Sequence, residues 1–233
     1  MISIEYLKES IYRECYFSMS IGVLDVCNED RPAVGTLSKV EMRSKGTFIN
    51  LSNKLLKISR DIYQSADRDT GRISYCRDCD GICLLELDGR NILLFVEVKS
   101  GFNELKKKAF EQLVASYIKT RCILQSIKGY NPDDYEEMGI IISYPPTAIP
   151  TSSLSTSLIG IKSATIAPSI IDKLNARNVT ALRVDQEVTL NLSDYKVDTC
   201  HVNPSLYRSS LHVKHISVTD LAISETIDLD SYL

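Results

Sequence analysis

The sequence of 233 residues lacks any apolar run that approaches the roughly 18 residues needed to span a membrane. Its first ten residues include Glu5 and Lys8, which a secretory signal would not carry. It also lacks internal repeats and low-complexity tracts, and its composition is ordinary for a soluble globular protein. We therefore expect no membrane association and a location in the cytoplasm.

The chain also lacks a marked surplus of charge, since 27 basic and 30 acidic side chains give a formal net charge of −3. This balance excludes a histone-like protein that coats nucleic acid through bulk electrostatics, but it leaves room for a local basic cleft. Residues 99–128 contain seven basic and two acidic side chains, a local net charge of +5. The last fifteen residues carry four acids and no base, which predicts a solvated tail.

Seven cysteines are an odd number in a chain that is too long to need disulfides, so we expect buried thiols in a reducing compartment. An alternative is a metal site. Cys76, Cys79 and Cys83 have a spacing compatible with metal ligands, and His212 and His215 could complete a Cys2His2 zinc site. The long separation between the two halves counts against zinc or an iron–sulfur cluster.

Apolar spacing predicts helices over residues 4–16 and 53–64, and three strands over residues 73–77, 82–87 and 92–99. The dipeptide Asp88-Gly89 separates the last two strands and is a strong signal for a tight hairpin. A long helix over residues 103–127 and a buried strand over residues 138–144 follow. The second half of this region therefore alternates strands with a helix.

A segment rich in serine, threonine and proline follows residue 146 and indicates a boundary. We expect residues 1–146 to hold an N-terminal extension and a core over residues 53–144. Residues 147–233 would form a C-terminal extension or a small α/β subdomain that ends in the acidic tail. In this part we predict a helix over residues 168–177 and strands over residues 179–184 and 187–192.

Three charged residues surround the predicted hairpin. Glu97 and Lys99 are two positions apart on one strand, so both side chains point to one face while Val98 points to the other. If the turn sets the register, residues whose numbers add up to about 177 pair, and Asp80 lies opposite Glu97. Two adjacent carboxylates repel each other unless a cation lies between them. Oxygen ligands suit Mg²⁺ or Mn²⁺ better than zinc.

The combination of Asp80, the triplet Glu97-Val98-Lys99 after an apolar run, and Gln112 in the next helix resembles the PD-(D/E)xK nuclease superfamily. The surroundings are most similar to its resolvase, Mrr and anti-phage defence branches. The resemblance implies a restriction-endonuclease-like α/β fold, with a central mixed β-sheet flanked by helices and with N- and C-terminal additions. One departure from the family pattern is Cys79, which stands where many members have proline.

The resemblance implies metal-dependent hydrolysis of phosphodiester bonds, in DNA rather than RNA, in anti-phage defence, DNA repair or restriction. Asp80, Glu97 and the backbone carbonyl of Val98 would hold Mg²⁺ or Mn²⁺. Lys99 would position the attacking water or help to deprotonate it. Gln112 would orient that water, a phosphate or Lys99.

Members of the superfamily often take a further carboxylate from the first core helix. Asp61 is the only acid in the helix predicted over residues 53–64. Either Asp61 supplies this ligand, or an earlier residue such as Glu41 does, or the site has only two carboxylates.

The basic segment beside the predicted site is expected to contact nucleic acid. Lys106, Lys107, Lys108 and Lys119 would bind phosphates on either side of the scissile one. Such nucleases often dimerise in order to cut two strands, so a homodimer or a partner protein is expected.

Each of these residues also has a plain structural interpretation. Glu97 and Lys99 could form an ion pair that faces solvent on an edge strand, and Asp80 could belong to a simple turn. Gln112 could be a packing amide, and Lys106–Lys108 a solvated helix face. The corresponding alternative function is a catalytically inert nucleic-acid-binding or structural subunit of a larger complex.

Overall fold

The computed structural model of this chain is an α/β structure built on a mixed β-sheet of eight strands. It describes residues 17–27, 37–51, 77–99, 106–143, 187–195, 202–218 and 224–233. The helices predicted over residues 4–16, 53–64 and 168–177 and the strand predicted over residues 179–184 lie outside these ranges.

The sheet has the order β1-β2-β3-β4-β5-β7-β6, and β8 pairs with β2. Its strands are β1 (Phe17–Cys27), β2 (Lys39–Leu51), β3 (Gly81–Leu87), β4 (Arg90–Lys99), β5 (Glu136–Ser143), β6 (Glu187–Asn191), β7 (Ser210–Ser217) and β8 (Ser224–Asp228). The α-helix in the described ranges is α1 (Lys106–Leu124). Short 3-10 helices lie at Pro132–Asp134, Leu192–Tyr195, Pro204–Leu206 and Leu229–Ser231.

The β3–β4 hairpin is formed by the turn that the sequence predicts. Asp88 and Gly89 have φ angles of 50° and 78°, and positive angles at both central positions are what a type I′ turn requires. Gly81 pairs with Val96, so partner numbers add up to 177. The predicted register is therefore confirmed.

Helix α1 connects two parallel strands, β4 and β5, and packs on one face of the sheet. Tyr117 of α1 meets Phe95 of β4 edge to face, with ring centroids 5.6 Å apart. Both faces of β4 are buried, which explains the continuous apolar run in this strand. No helix in the described ranges is long and apolar enough to cross a membrane.

The three-stranded meander differs from the predicted one in its first strand. β2 pairs with β3 through Asn50 and Cys83, whereas Arg77, in the segment predicted as a strand, lies in coil. The remaining residues of that predicted strand lie outside the described ranges. The long strand β2 therefore takes the place that we assigned to residues 73–77.

The C-terminal region is continuous with the same sheet. β6 confirms the strand predicted over residues 187–192, and β7 runs parallel to β5. The acidic tail is not solvated as predicted, because β8 pairs in parallel with β2 and buries Ile227, and Leu229 beyond it is buried as well. The prediction of a solvated tail rests on its acidic residues alone, and that count does not take into account the apolar residues that alternate with them.

One acidic residue of this tail, Asp230, holds an irregular stretch of β2 in place. Its carboxylate accepts hydrogen bonds from the Ser44 hydroxyl at 2.5 Å and from the Lys45 backbone N–H at 3.0 Å. These two hydrogen bonds lower the pKa of Asp230 below its ordinary value. The charged form of Asp230 is therefore the one that stabilises the fold.

We expect Asp230→Asn to lower the melting temperature at pH 7 by about 2 °C, because an amide accepts these hydrogen bonds more weakly. A carboxyl with a lowered pKa in the folded state stabilises the protein above its ordinary pKa, and this contribution is lost as the pH falls. The difference between variant and wild type should therefore shrink below about pH 4. Thermal unfolding across pH tests this, with Asp228→Asn as the control, and a difference that grows on acidification would contradict it.

Candidate active site

Glu97 and Lys99 lie at the carboxyl end of β4, a central strand between β3 and β5. Their side chains form an ion pair and are almost fully buried, with exposures of 0% for Glu97 and 3% for Lys99. An ion pair facing solvent on an edge strand is therefore excluded. Val98 belongs to the core cluster on the opposite face of the sheet, as the strand periodicity predicts.

Asp80 directly precedes β3, at the position that the hairpin register places opposite Glu97. One oxygen of its carboxylate accepts a hydrogen bond of 2.8 Å from the backbone N–H of Val98. Asp80 is half-buried, so it is more exposed than Glu97 or Lys99. The register and this hydrogen bond bring all three predicted residues to one end of β4.

Helix α1 holds the segment that precedes Asp80. Gln112 donates a hydrogen bond of 2.8 Å to the carbonyl of Asp78, and Ser116 accepts one of 2.8 Å from the N–H of Cys79. The two side chains are four positions apart and lie on one face of the helix. Gln112 therefore acts on the backbone beside Asp80, and within the described residues its oxygen has no hydrogen-bond partner.

Lys119 continues this face of α1 and corrects one expectation. We predicted it to contact nucleic acid, but its side chain has 0% exposure and forms an ion pair with Asp78. It also donates to the carbonyl of Arg77 at 2.9 Å. Burial of a lysine is tolerated here because a carboxylate compensates its charge, so Lys119 is part of the interior.

Two more of the seven basic side chains in residues 99–128 are also buried. Lys99 pairs with Glu97, and the buried Arg121 pairs with Glu137 at 2.9 Å. Lys128, by contrast, is exposed.

Three other lysines, Lys106, Lys107 and Lys108, occupy the first turn of α1, which contains no acid. The positive end of the helix dipole makes this position favourable for an anion.

A third carboxylate is not found among the described residues, where no group of three potential metal ligands occurs. Glu41 pairs with Arg43 at 2.8 Å. It lies nine residues before Asn50 on β2, or up to about 30 Å from this end of the sheet. This corrects the alternative that Glu41 completes the site. Asp61 lies outside the described residues.

Among the described residues, the ligands of the alternative zinc site do not come together. Cys79 and Cys83 belong to the core clusters on opposite faces of the sheet. Burial raises the pKa of both thiols, and for Cys79 the charge of Glu97 raises it further. His212 contacts Glu187 at 3.1 Å, whereas His215 is buried and contacts Ser143 at 2.8 Å. Cys76 lies outside the described ranges.

Two residues at this end of the sheet were missed by sequence reasoning. Ser143 is the register partner of Lys99 on the neighbouring strand β5. His215 lies on β7, the strand that pairs with the other edge of β5. Ser143 has 0% exposure and His215 has 1%. Neither belongs to a recognisable motif, and their proximity to Lys99 follows only from the parallel pairing of β4, β5 and β7.

Comparison of the chain with protein-family models, with curated proteins and with solved structures finds no match. The function of the chain is therefore inferred from its own residues and geometry.

We expect Lys119→Met to lower the free energy of unfolding by about 3 kcal/mol, because it leaves the buried Asp78 carboxylate without its ion-pair partner. The double variant Asp78→Asn, Lys119→Met should recover part of this loss, because no charge then stays buried. Denaturant titration measures both effects. The exposed residue Lys128 supplies the control, since Lys128→Met should change stability by about 0.5 kcal/mol or less. A Lys119 variant of unchanged stability would contradict the structural role.

Proposed function

We propose that this protein is a metal-dependent nuclease of the PD-(D/E)xK type with a restriction-endonuclease-like core. The observation that carries the proposal is the meeting of Asp80, Glu97 and Lys99 at the carboxyl end of β4. Two carboxylates that can hold a metal ion and one ammonium that can stabilise negative charge are groups suited to metal-dependent hydrolysis of a phosphodiester.

Burial of these charges supports a functional role. Removal of a carboxylate and an ammonium from water is costly, and their mutual attraction offsets the cost only in part. An apolar pair at positions 97 and 99 would serve the core at least as well, since the neighbouring positions Leu93 and Phe95 are apolar and fully buried. The charged pair is therefore better explained by chemistry than by stability.

The order of elements around the site also supports the proposal. The meander β2-β3-β4 is followed by α1 and by β5, which runs parallel to β4. This order is similar to the core of the restriction-endonuclease-like fold, in which the two carboxylates come from the meander and the next helix covers the sheet. Here β2 supplies the first strand of the meander.

The available donors fit a hard divalent cation. Asp80, Glu97 and the backbone carbonyl of Val98 offer only oxygen atoms, which Mg²⁺ and Mn²⁺ prefer, and solvent and phosphate oxygens would complete the coordination. When bound, such a cation lowers the pKa of a coordinated water and neutralises charge on the phosphate. Asp80 is held for this task by the N–H of Val98, which fixes the direction of its carboxylate.

Lys99 has two roles in this proposal. Its ammonium neutralises Glu97 in the structure, so the site carries less negative charge than its carboxylates alone would give. If Glu97 held such a cation, Lys99 would lose its ion-pair partner. The Nζ atom of Lys99 is then available to orient the attacking water or to stabilise charge on the phosphate.

We expect Glu97→Gln and Lys99→Ala each to reduce cleavage by about a hundredfold or more, because each removes a group that stabilises the transition state. Asp80→Asn should do the same while keeping an oxygen that accepts from Val98. The assay compares linear, circular and single-stranded DNA and RNA with Mg²⁺ or Mn²⁺, and DNA is the expected substrate.

The control for this series is Glu86→Gln, which removes an exposed carboxylate at the other end of β3. Thermal unfolding must show that each variant is folded. If wild-type protein cleaves and the folded Asp80 and Lys99 variants cleave equally well, the site assignment is wrong.

We expect Lys106, Lys107 and Lys108 to provide the phosphate contacts beside the site. Replacement of all three by alanine should weaken DNA binding and reduce the slope of log affinity against log salt by about 0.9 per lost contact. Binding to an oligonucleotide duplex without divalent metal measures this. The matched control replaces Lys39, Arg43 and Lys45 by alanine. This removes the same positive charge from the part of β2 that lies far from the site. Equal effects of both triple variants would contradict a local contact surface.

A catalytically inert nucleic-acid-binding subunit is the second candidate, and one observation favours it. The described residues hold two carboxylates at the site and no group of three metal ligands, while Lys99 already neutralises Glu97. Calorimetric titration with Mn²⁺ distinguishes the two functions. Binding that is lost in Asp80→Asn favours the nuclease, and its absence in wild-type protein favours the inert subunit.

A further inference from the structure

A buried polar pair, Ser143 and His215, lies in the same layer of the sheet as the proposed site. The Ser143 hydroxyl and the Nε2 atom of His215 are 2.8 Å apart. Both residues stand near the carboxyl ends of strands that run parallel to β4. Neither residue has a role in the nuclease proposal as described above.

Strand register places the pair beside Lys99. Lys99 is the Cα partner of Ser143, and Ile141 is the partner of both Glu97 and His215. Adjacent strands lie about 4.8 Å apart, so Ser143 is the nearest residue to Lys99 across the β4–β5 pair.

The side chains also share one face. Phe95, Ile141 and Val213 belong to the core cluster under α1, and each lies two residues before a polar residue of this group. Because side chains alternate along a strand, Glu97, Ser143 and His215 point to that same face. The polar groups therefore lie together on this face, with Glu97 and His215 on either side of Ile141 and with Lys99 and Ser143 two residues further along their strands.

This group follows directly after the apolar core. Two residues earlier, each of the three strands carries an apolar residue on this face, namely Phe95, Ile141 and Val213. A buried imidazole and hydroxyl are costly unless they are hydrogen-bonded, and each supplies that bond for the other. The place of Ser143 beside Lys99, and of His215 at the level of Glu97, indicates a role connected with Lys99.

We propose that Ser143 and His215 are positioning residues that set the direction of the Lys99 ammonium. This inference rests on the proposed nuclease function. A serine hydroxyl has one hydrogen to donate and two lone pairs to accept with. With His215 fixing the orientation of the hydroxyl, Ser143 presents an acceptor toward Lys99 at the moment when a metal ion competes for Glu97.

The first experiment measures kcat and KM for DNA cleavage in Ser143→Ala, Ser143→Thr and His215→Gln. Loss of a positioning partner should lower kcat by about 10- to 100-fold with little change in KM. Ser143→Thr, which keeps the hydroxyl, should retain most of the activity. The control is His212→Ala, which removes a partly exposed histidine from the same strand.

The second experiment does not need activity. Side-chain ¹⁵N NMR of the lysine ammonium groups reports the surroundings of Lys99, whose signal is assigned by its loss in Lys99→Arg. Ser143→Ala should shift this signal in the metal-free protein and upon addition of Mg²⁺, whereas Ser143→Thr and His212→Ala should not.

The outcomes separate this inference from the nuclease proposal. If Lys99→Ala abolishes cleavage while folded Ser143→Ala and His215→Gln keep kcat and the Lys99 signal, the site assignment stands and the positioning role is wrong. If no variant or wild-type protein cleaves DNA, the nuclease proposal fails, and the NMR signal alone decides whether Ser143 sets the surroundings of Lys99. Loss of stability in Ser143→Ala with an unchanged Lys99 signal would mark a purely structural pair and overturn the inference.

Discussion

The candidate site depends on the register of one hairpin. The Asp88-Gly89 turn takes the backbone angles of a two-residue hairpin, and every pair of β3 and β4 follows from it. Asp80 lies eight residues before the turn and Glu97 eight residues after it, so the turn alone brings them together. A slip by one residue would turn the side chains of one strand to the other face and separate the two carboxylates.

Helix α1 holds the segment before Asp80 in a fixed position relative to this hairpin. Its polar face binds the backbone of residues 77–79 through Gln112, Ser116 and Lys119, directly before Asp80. Burial of these three side chains is tolerated because each makes a hydrogen bond with this segment, and such bonds restrict the backbone more tightly than apolar packing would. Helix α1 therefore fixes the geometry of the site, and its bases contribute less surface charge than their number suggests.

Much of the central fold is predictable from the sequence because its signals are local. The hairpin, strands β3 to β5 and helix α1 follow from turn chemistry and from apolar periodicity. Pairings between distant segments have no such signal. The pairing of β7 with β5 brings His215 to the level of Glu97, and the pairing of β8 with β2 buries Ile227 of the acidic tail. For the same reason the burial of Lys119 could not be read from a run of bases.

The surface charge of the protein differs from what its composition suggests, because several basic side chains are buried. Lys99, Lys119 and Arg121 are each paired with a buried carboxylate, so they neutralise the interior instead of attracting a polyanion. Under the proposed function, attraction of nucleic acid then depends on the first turn of α1, whose lysines lie just after the Glu97–Lys99 strand. Few phosphate contacts mean weak binding, which suits an enzyme that must release its product. The buried Glu97–Lys99 pair would add a second condition to the proposed function, since a metal ion and Lys99 would compete for one carboxylate. The site would become active only when metal ion and phosphate are both present to take up the two charges.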